Sequence, residues 1–193
     1  DLRRNAPVWV TPISVAFRGH RVWELPPNNQ GIAVLEMLRI LEPYDLQALG
    51  HNSAPYLHLL IEAKKLAYAD LARCVGDADH LGMPAEALLT DDFIAERRRR
   101  IDTAKAQSRA DPGPLRTASE TIYLTTADAD GNMVSFINST FDAFGSGIVV
   151  PGTGFALHNR GAAFTLTPWL PNTAAPGRRP FHTLIPAFVT RGD

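Results

Sequence analysis

Between Val8 and Trp23, the chain carries alternating or β-branched apolar residues around Arg18-Gly19-His20, with Val8, Val10, Ile13, Val15 and Phe17 before it and Val22 after it. Such alternation predicts two short strands joined as a hairpin. The cluster Leu25-Pro26-Pro27-Asn28-Asn29-Gln30-Gly31 breaks the pattern, fixes a loop and opens a helix expected over 32–41, which Pro43 stops. Leu57, Leu60, Ile61, Ala67 and Leu71 then recur at helical spacing. They predict a long helix running to about Cys74, with His51-Asn52-Ser53 offering its N-cap. A third helix is expected to run through 95–104, with Thr90 at its start and Asp91 and Asp92 in its first turn, where carboxylates complement the helix dipole. The run Arg97-Arg98-Arg99-Arg100 on that helix reads as a solvated face.

Over residues 107–120 both periods vanish in a stretch rich in Ser, Asp, Pro, Gly and Thr, which reads as a flexible linker. A hairpin follows directly, with strands at 121–127 and 133–140 around the turn Asp128-Ala129-Asp130-Gly131-Asn132. Two glycine-rich segments come next, Phe144-Gly145-Ser146-Gly147 and Pro151-Gly152-Thr153-Gly154, and then short apolar runs interrupted by a Pro/Gly loop at 168–180. The expected organisation is therefore a mainly helical region over 1–106, the linker over 107–120 and a mainly β region over 121–193.

Composition narrows the function without naming it. A chain of 193 residues, 45% hydrophobic and 20% charged, is expected to bury a core, and nineteen basic against twenty acidic side chains leave a net charge of -1. That balance gives no field that argues for nucleic acid or a membrane surface as partner, so a small molecule is expected. No run approaches the roughly 20 apolar residues that cross a bilayer. The single cysteine, Cys74, has no internal disulfide partner and reads as a core residue. The opening Asp1-Leu2-Arg3-Arg4-Asn5 has neither methionine nor a signal-peptide apolar core, so a fragment is expected, and the compartment leans only slightly toward the cytoplasm. The closing Arg191-Gly192-Asp193 reads as a turn rather than an adhesion motif.

Residues with chemistry are few. His158 and His182 have no further ligand at metal-binding spacing and read as hydrogen-bonded structural or pocket histidines, and the glycine clusters lack the strand-to-helix setting of a phosphate loop. No metal and no cofactor is expected. The junction Glu120-Thr121 stands out on topology: a structureless linker ends where a strand opens on a hydroxyl residue. A threonine that begins a strand after cleavage can use its own freed α-amine as the base for its hydroxyl, although the pattern alone is common.

The residues around this junction resemble the gamma-glutamyltransferase family of N-terminal-nucleophile hydrolases. Thr121-Ile122-Tyr123-Leu124-Thr125-Thr126-Ala127-Asp128-Ala129-Asp130-Gly131-Asn132 is similar to the start of that family's small subunit. Phe144-Gly145-Ser146-Gly147 is similar to its Phe-Gly-Ser-Gly segment, and Pro176-Gly177-Arg178-Arg179-Pro180 to its Pro-Gly-Lys-Arg-Pro loop. Upstream, Leu25-Pro26-Pro27-Asn28-Asn29-Gln30-Gly31 resembles the family's Pro-Pro-x-x-x-Gly helix opening, and Glu62-Ala63-Lys64-Lys65-Leu66-Ala67-Tyr68-Ala69-Asp70 its long large-subunit helix. The resemblance covers nearly the whole chain, in order.

It implies an α+β fold, the four-layered αββα sandwich of which this chain holds a part. It also implies a precursor that cleaves itself at Glu120-Thr121 into large and small subunits, with a homodimer of the precursor as a further option. Carried over by position, Thr121 falls on the nucleophile and Ser139 on the second hydroxyl that hydrogen-bonds it. The oxyanion glycines would lie beyond Asp193, and a substrate-gripping arginine before Asp1. The departures matter too. Phe141 stands where the family has a substrate-binding asparagine, His182-Thr183 where it has a serine pair, and Asn159-Arg160-Gly161-Ala162-Ala163 where glutathione-cleaving members hold the glutamyl ammonium with carboxylates. Arg160 suits an anionic acyl group instead. These changes look like the branch that holds cephalosporin acylases, oxamate amidohydrolase and transferase-like proteins. True glutathione hydrolysis with transpeptidation, and an inactive scaffold, are the alternatives.

Overall fold

The computed structural model describes residues 6–108 and 120–192. Most of the expected linker, 109–119, lies outside the described residues. The first hairpin pairs β1 (Ile13–Phe17) with β2 (His20–Glu24), Phe17 facing His20 across the turn. Arg18 and Gly19 both take positive φ, 50° and 79°, the geometry whose twist suits a two-residue hairpin turn. A short strand from the far end of the chain, Phe188–Thr190, completes an antiparallel three-stranded sheet by pairing with β2. It is numbered β5, because β3 and β4 precede it in the chain.

Three helices pack beside this sheet: α1 (Gly31–Leu41), α2 (Ala54–Cys74) and α3 (Asp91–Arg99). Ser53 caps α2 as expected, its Oγ accepting the Tyr56 N–H at 3.2 Å. The third helix departs from expectation at both ends. Thr90 occupies the N-cap position, but its hydroxyl donates to the Ala87 carbonyl, leaving Asp91 and Asp92 to complement the dipole. The helix stops at Arg99 rather than near 104, where Asp102 Oδ1 accepts the Ala104 N–H at 2.9 Å; that local side-chain bond competes with helical pairing.

The arginine run is also only half solvated. Arg97 is paired through two 2.6 Å bonds to the buried Asp70 of α2, and Arg98 donates to the carbonyls of Arg39 and Ile40 at the end of α1, while Arg99 and Arg100 remain exposed. Helix α3 is thus held to both other helices by cations that composition alone assigns to solvent.

Two apolar clusters fill the space between. Ile13, Val15, Ile32, Leu35, Ala67, Leu71, Val75 and Leu88 join the sheet to α1 and α2, and Ile40, Leu41, Leu59, Ala63, Leu66 and Ile94 join the three helices. Leu35 is fully buried at the centre of the first cluster. Truncation to alanine there removes apolar burial and leaves a cavity, so Leu35→Ala is expected to cost about 2–5 kcal/mol in denaturant unfolding of the full-length protein. Glu36 lies against this core with no exposure; burial first, and then the neighbouring Asp70 carboxylate, push its carboxyl well above the usual range.

A separate two-stranded ribbon pairs β3 (Glu120–Ala127) with β4 (Met133–Phe141). Its turn is organised by Asp128, whose carboxylate accepts the Asp130 and Asn132 amides and the Asn132 side chain. The described span therefore holds helices on one sheet and a distinct ribbon, an α+β arrangement that does not complete four layers.

Candidate functional site

The ladder of β3 and β4 sets the site. Thr121 faces Ser139 directly, so the two side chains stand on the same face of the ribbon. The register shifts between Glu120 and Thr121, since Glu120 pairs with Phe141 and leaves Thr140 as an extra residue on β4. The bulge thus falls at the very peptide bond that sequence singles out.

β4 ends on Phe141 with φ of 79°, a left-handed conformation that strains a bulky aromatic by about 1–3 kcal/mol. Asparagine, which the resemblance places at this position, tolerates that backbone better. The chain then folds back through a reciprocal pair: the Asp142 N–H donates to Asn159 Oδ1 at 3.1 Å, and Asn159 Nδ2 donates to Asp142 Oδ2 at 2.6 Å. This brings residues 159–163 alongside the end of β4, where Arg160–Ala163 form a 3-10 turn.

Arg160 is the hub. It is 2% exposed; Nη1 donates to Thr183 Oγ1 at 3.1 Å, Nη2 donates to the Ser139 carbonyl at 3.2 Å, and the guanidinium lies 5.4 Å from the centre of the Phe141 ring. Burial pulls its pKa down, yet a guanidinium stays charged in a protein. Among the described residues no carboxylate forms an ion pair with it. A buried cation without a counter-ion is costly, and an anion that reached it would relieve that cost.

His182 and Thr183 come from the loop after Pro180, which is held by the loop before α1. The His182 N–H donates to the Asn28 carbonyl at 2.8 Å, Asn28 Nδ2 donates to the Pro180 carbonyl and Gln30 Nε2 to that of Thr183. Burial, then the Arg160 charge, then His158 hold the His182 ring down at about 4, against an ordinary 6.5. The neutral ring is therefore the folded form. Any stability it contributes is complete above 6.5 and is lost as pH falls through about 4. In an NMR titration of the full-length protein the His182 ring is expected to show no step at 6.5; a midpoint there would contradict the buried, cation-facing placement.

Ser139, Phe141, Arg160 and Thr183 thus meet in direct contact, Thr121 joins through the strand register, and His182 stands within electrostatic reach of Arg160. His158 is exposed and accepts the Arg160 N–H on Nδ1 at 3.1 Å. No group of three or more His, Cys, Asp or Glu side chains suited to a metal is present among the described residues. Sequence reasoning missed Asp142 and Asn159 as a pair, and the role of Asn28 and Gln30 as supports. The Asp that follows a strand-ending aromatic carried no visible signal, whereas the Pro/Asn loop did.

A cephalosporin acylase from Bacillus halodurans, solved as a crystal structure, superposes with a TM-score of 0.86 at 44% identity, over 98% of this chain and 34% of that one. The glutathione hydrolase-like YwrD proenzyme of Bacillus subtilis is 37% identical over 192 residues, 100% of this chain and 36% of its own length. The oxamate amidohydrolase proenzyme of Klebsiella pneumoniae is 35% identical over 182 residues, 94% of this chain and 34% of its own. The chain spans about a third of the length of these relatives. The family model described as Gamma-glutamyltranspeptidase matches residues 1–193, and with these relatives it places the chain in the gamma-glutamyltranspeptidase family.

Proposed function

We propose that the whole protein is an N-terminal-threonine amidohydrolase that frees Thr121 by cutting its own chain after Glu120 and then cleaves an amide whose acyl group carries an anion. The observation that carries this reading is the placement of the buried Arg160 cation, which has no carboxylate partner among the described residues, on the Ser139 carbonyl, directly across the ladder from Thr121. Residues 1–106 would belong to the end of the large subunit, 107–120 to the segment that precedes the cut, and 121–193 to the start of the small subunit. Relatives named as proenzymes support a processed precursor.

In the mature form the Thr121 hydroxyl would attack the substrate carbonyl while its proton passes to the freed α-amine. The amine returns that proton to the departing amine as the C–N bond breaks, leaving an acyl ester on Thr121. Water, or an acceptor amine, then attacks the ester and regenerates the hydroxyl. Ser139, opposite Thr121, would steady the nucleophile, and Arg160, with Thr183, would bind the far end of the acyl group over Phe141. His182, kept neutral, would shape the pocket wall without adding charge.

A glutathione-hydrolase reading is favoured by the name of an Escherichia coli relative, a glutathione hydrolase proenzyme 32% identical over 206 residues. Against it, Ala162 and Ala163 offer no carboxylate for a glutamyl ammonium, and Arg160 would repel one. Asp142 is engaged with Asn159. Assay of the full-length protein on glutathione, oxamate and a glutaryl anilide separates these readings, and the proposal expects the glutaryl anilide or oxamate to be preferred.

A further inference from the structure

We infer that Asp77, three residues past the end of α2, is a positioning residue for the acyl site, holding through Arg179 and the Pro171-Asn172 backbone the loop that carries His182 and Thr183. Asp77 is 2% exposed and separated from Arg179 by 102 residues. Its Oδ2 accepts the Arg179 backbone N–H at 2.8 Å, and its Oδ1 accepts Nε at 3.2 Å and Nη2 at 3.0 Å. Three bonds to one residue, one of them from the main chain, fix the course of the loop as well as a side chain. Pro180, Phe181, His182 and Thr183 follow immediately.

A second contact runs through the neighbour of Asp77. A Cβ on Gly76 would lie 2.4 Å from the Pro171 carbonyl oxygen and 2.9 Å from the Asn172 nitrogen, so the two backbones touch at a distance only glycine allows. Asn172 then divides its amide between both halves of the site. Its Oδ1 accepts the Phe181 N–H at 2.8 Å, one residue before His182, and its Nδ2 donates to the Ala163 carbonyl at 2.7 Å, at the end of the turn that begins with Arg160. Arg160 and Thr183 are bonded to each other. The Gly76-Asp77 corner is therefore linked to the anion-binding pair by two routes, one through Arg179 and one through Asn172. Both routes join a residue before the Glu120-Thr121 junction to residues after it, so on the proposed processing they would connect the two subunits without covalent support.

This rests on the proposed function, but its test need not. In the full-length protein, Asp77→Asn keeps the size of the side chain and removes its charge. Backbone hydrogen exchange is expected to quicken at least about tenfold at Phe181 and His182, with the core amides of α1 and α2 unchanged. On a glutaryl anilide, KM is expected to rise about tenfold with kcat within about threefold, and KM for an uncharged acetyl anilide to stay within about twofold. Arg179→Lys, which alters a half-exposed side chain, should give the same pattern in weaker form, and decides the matter if Asp77→Asn does not fold. Unchanged exchange at Phe181 and His182, or equal acceleration throughout α1 and α2, overturns the inference. A wild-type protein that cleaves no amide would instead contradict the proposed function, while the exchange pattern still decides the role of Asp77.

Discussion

Replacing Thr121 by alanine in the full-length protein is expected to abolish both chain cleavage and amide turnover. The two losses share one cause. Processing needs the Thr121 hydroxyl to attack the carbonyl of Glu120, and turnover needs the same hydroxyl to attack a substrate, so a methyl group supports neither. Removal of a nucleophile commonly leaves orders of magnitude less activity, of which only binding and oxyanion stabilisation survive. The fold should persist, because Thr121 is exposed on a ribbon edge and carries no core packing. Thr121→Ser, which keeps a hydroxyl, should restore cleavage in part. Intact mass and a glutaryl-anilide assay on the three proteins check this, and full turnover by Thr121→Ala would remove the threonine from the mechanism.

The second large effect is on selectivity. An α-ammonium brought against Arg160 meets a buried like charge and no carboxylate at 162 or 163, and an uncompensated buried charge costs on the order of 3–5 kcal/mol. At about 1.4 kcal/mol per tenfold, kcat/KM for a glutaryl anilide should exceed that for the γ-glutamyl anilide at least about a hundredfold. Arg160→Gln should erase most of this preference, chiefly by raising KM for the glutaryl compound. It should also cost some stability, because the Ser139 carbonyl and the Thr183 hydroxyl lose a charged donor. Equal rates on the two anilides in the wild-type protein would refute the anion-binding role.

What could be read from the chain, and what could not, divides by the range of the interaction. The two hairpins, α1 and α2 follow from a period of two or 3.6 and from local stop residues, with limits within a few positions except in the first strand, which begins at Ile13 and leaves Val8 and Val10 exposed outside it. The end of α3 did not, because a single Asp102 side chain bonding its own neighbourhood outweighs helical spacing. The arginine run was misjudged in half: Arg97 finds Asp70, 27 residues away, and no pattern along the helix announces that partner. Within the site, resemblance brought Thr121, Ser139, Phe141, Arg160, His182 and Thr183 to notice, with a contact implied only between Thr121 and Ser139. That Arg160 reaches both Ser139 and Thr183 depends on the Asp142–Asn159 pair and on supports from Asn28 and Asp77, all long-range and silent in periodicity.

The central claim is that a threonine freed at position 121 carries the acyl group. Full-length protein can be mixed with a glutaryl ester that acylates faster than it deacylates, quenched in acid, and measured by intact mass and peptide mapping. The account predicts two chains that meet between Glu120 and Thr121, with one glutaryl group attached to the peptide that begins at Thr121. An uncut chain that nevertheless turns over the ester, or a glutaryl group on any other residue, would contradict it.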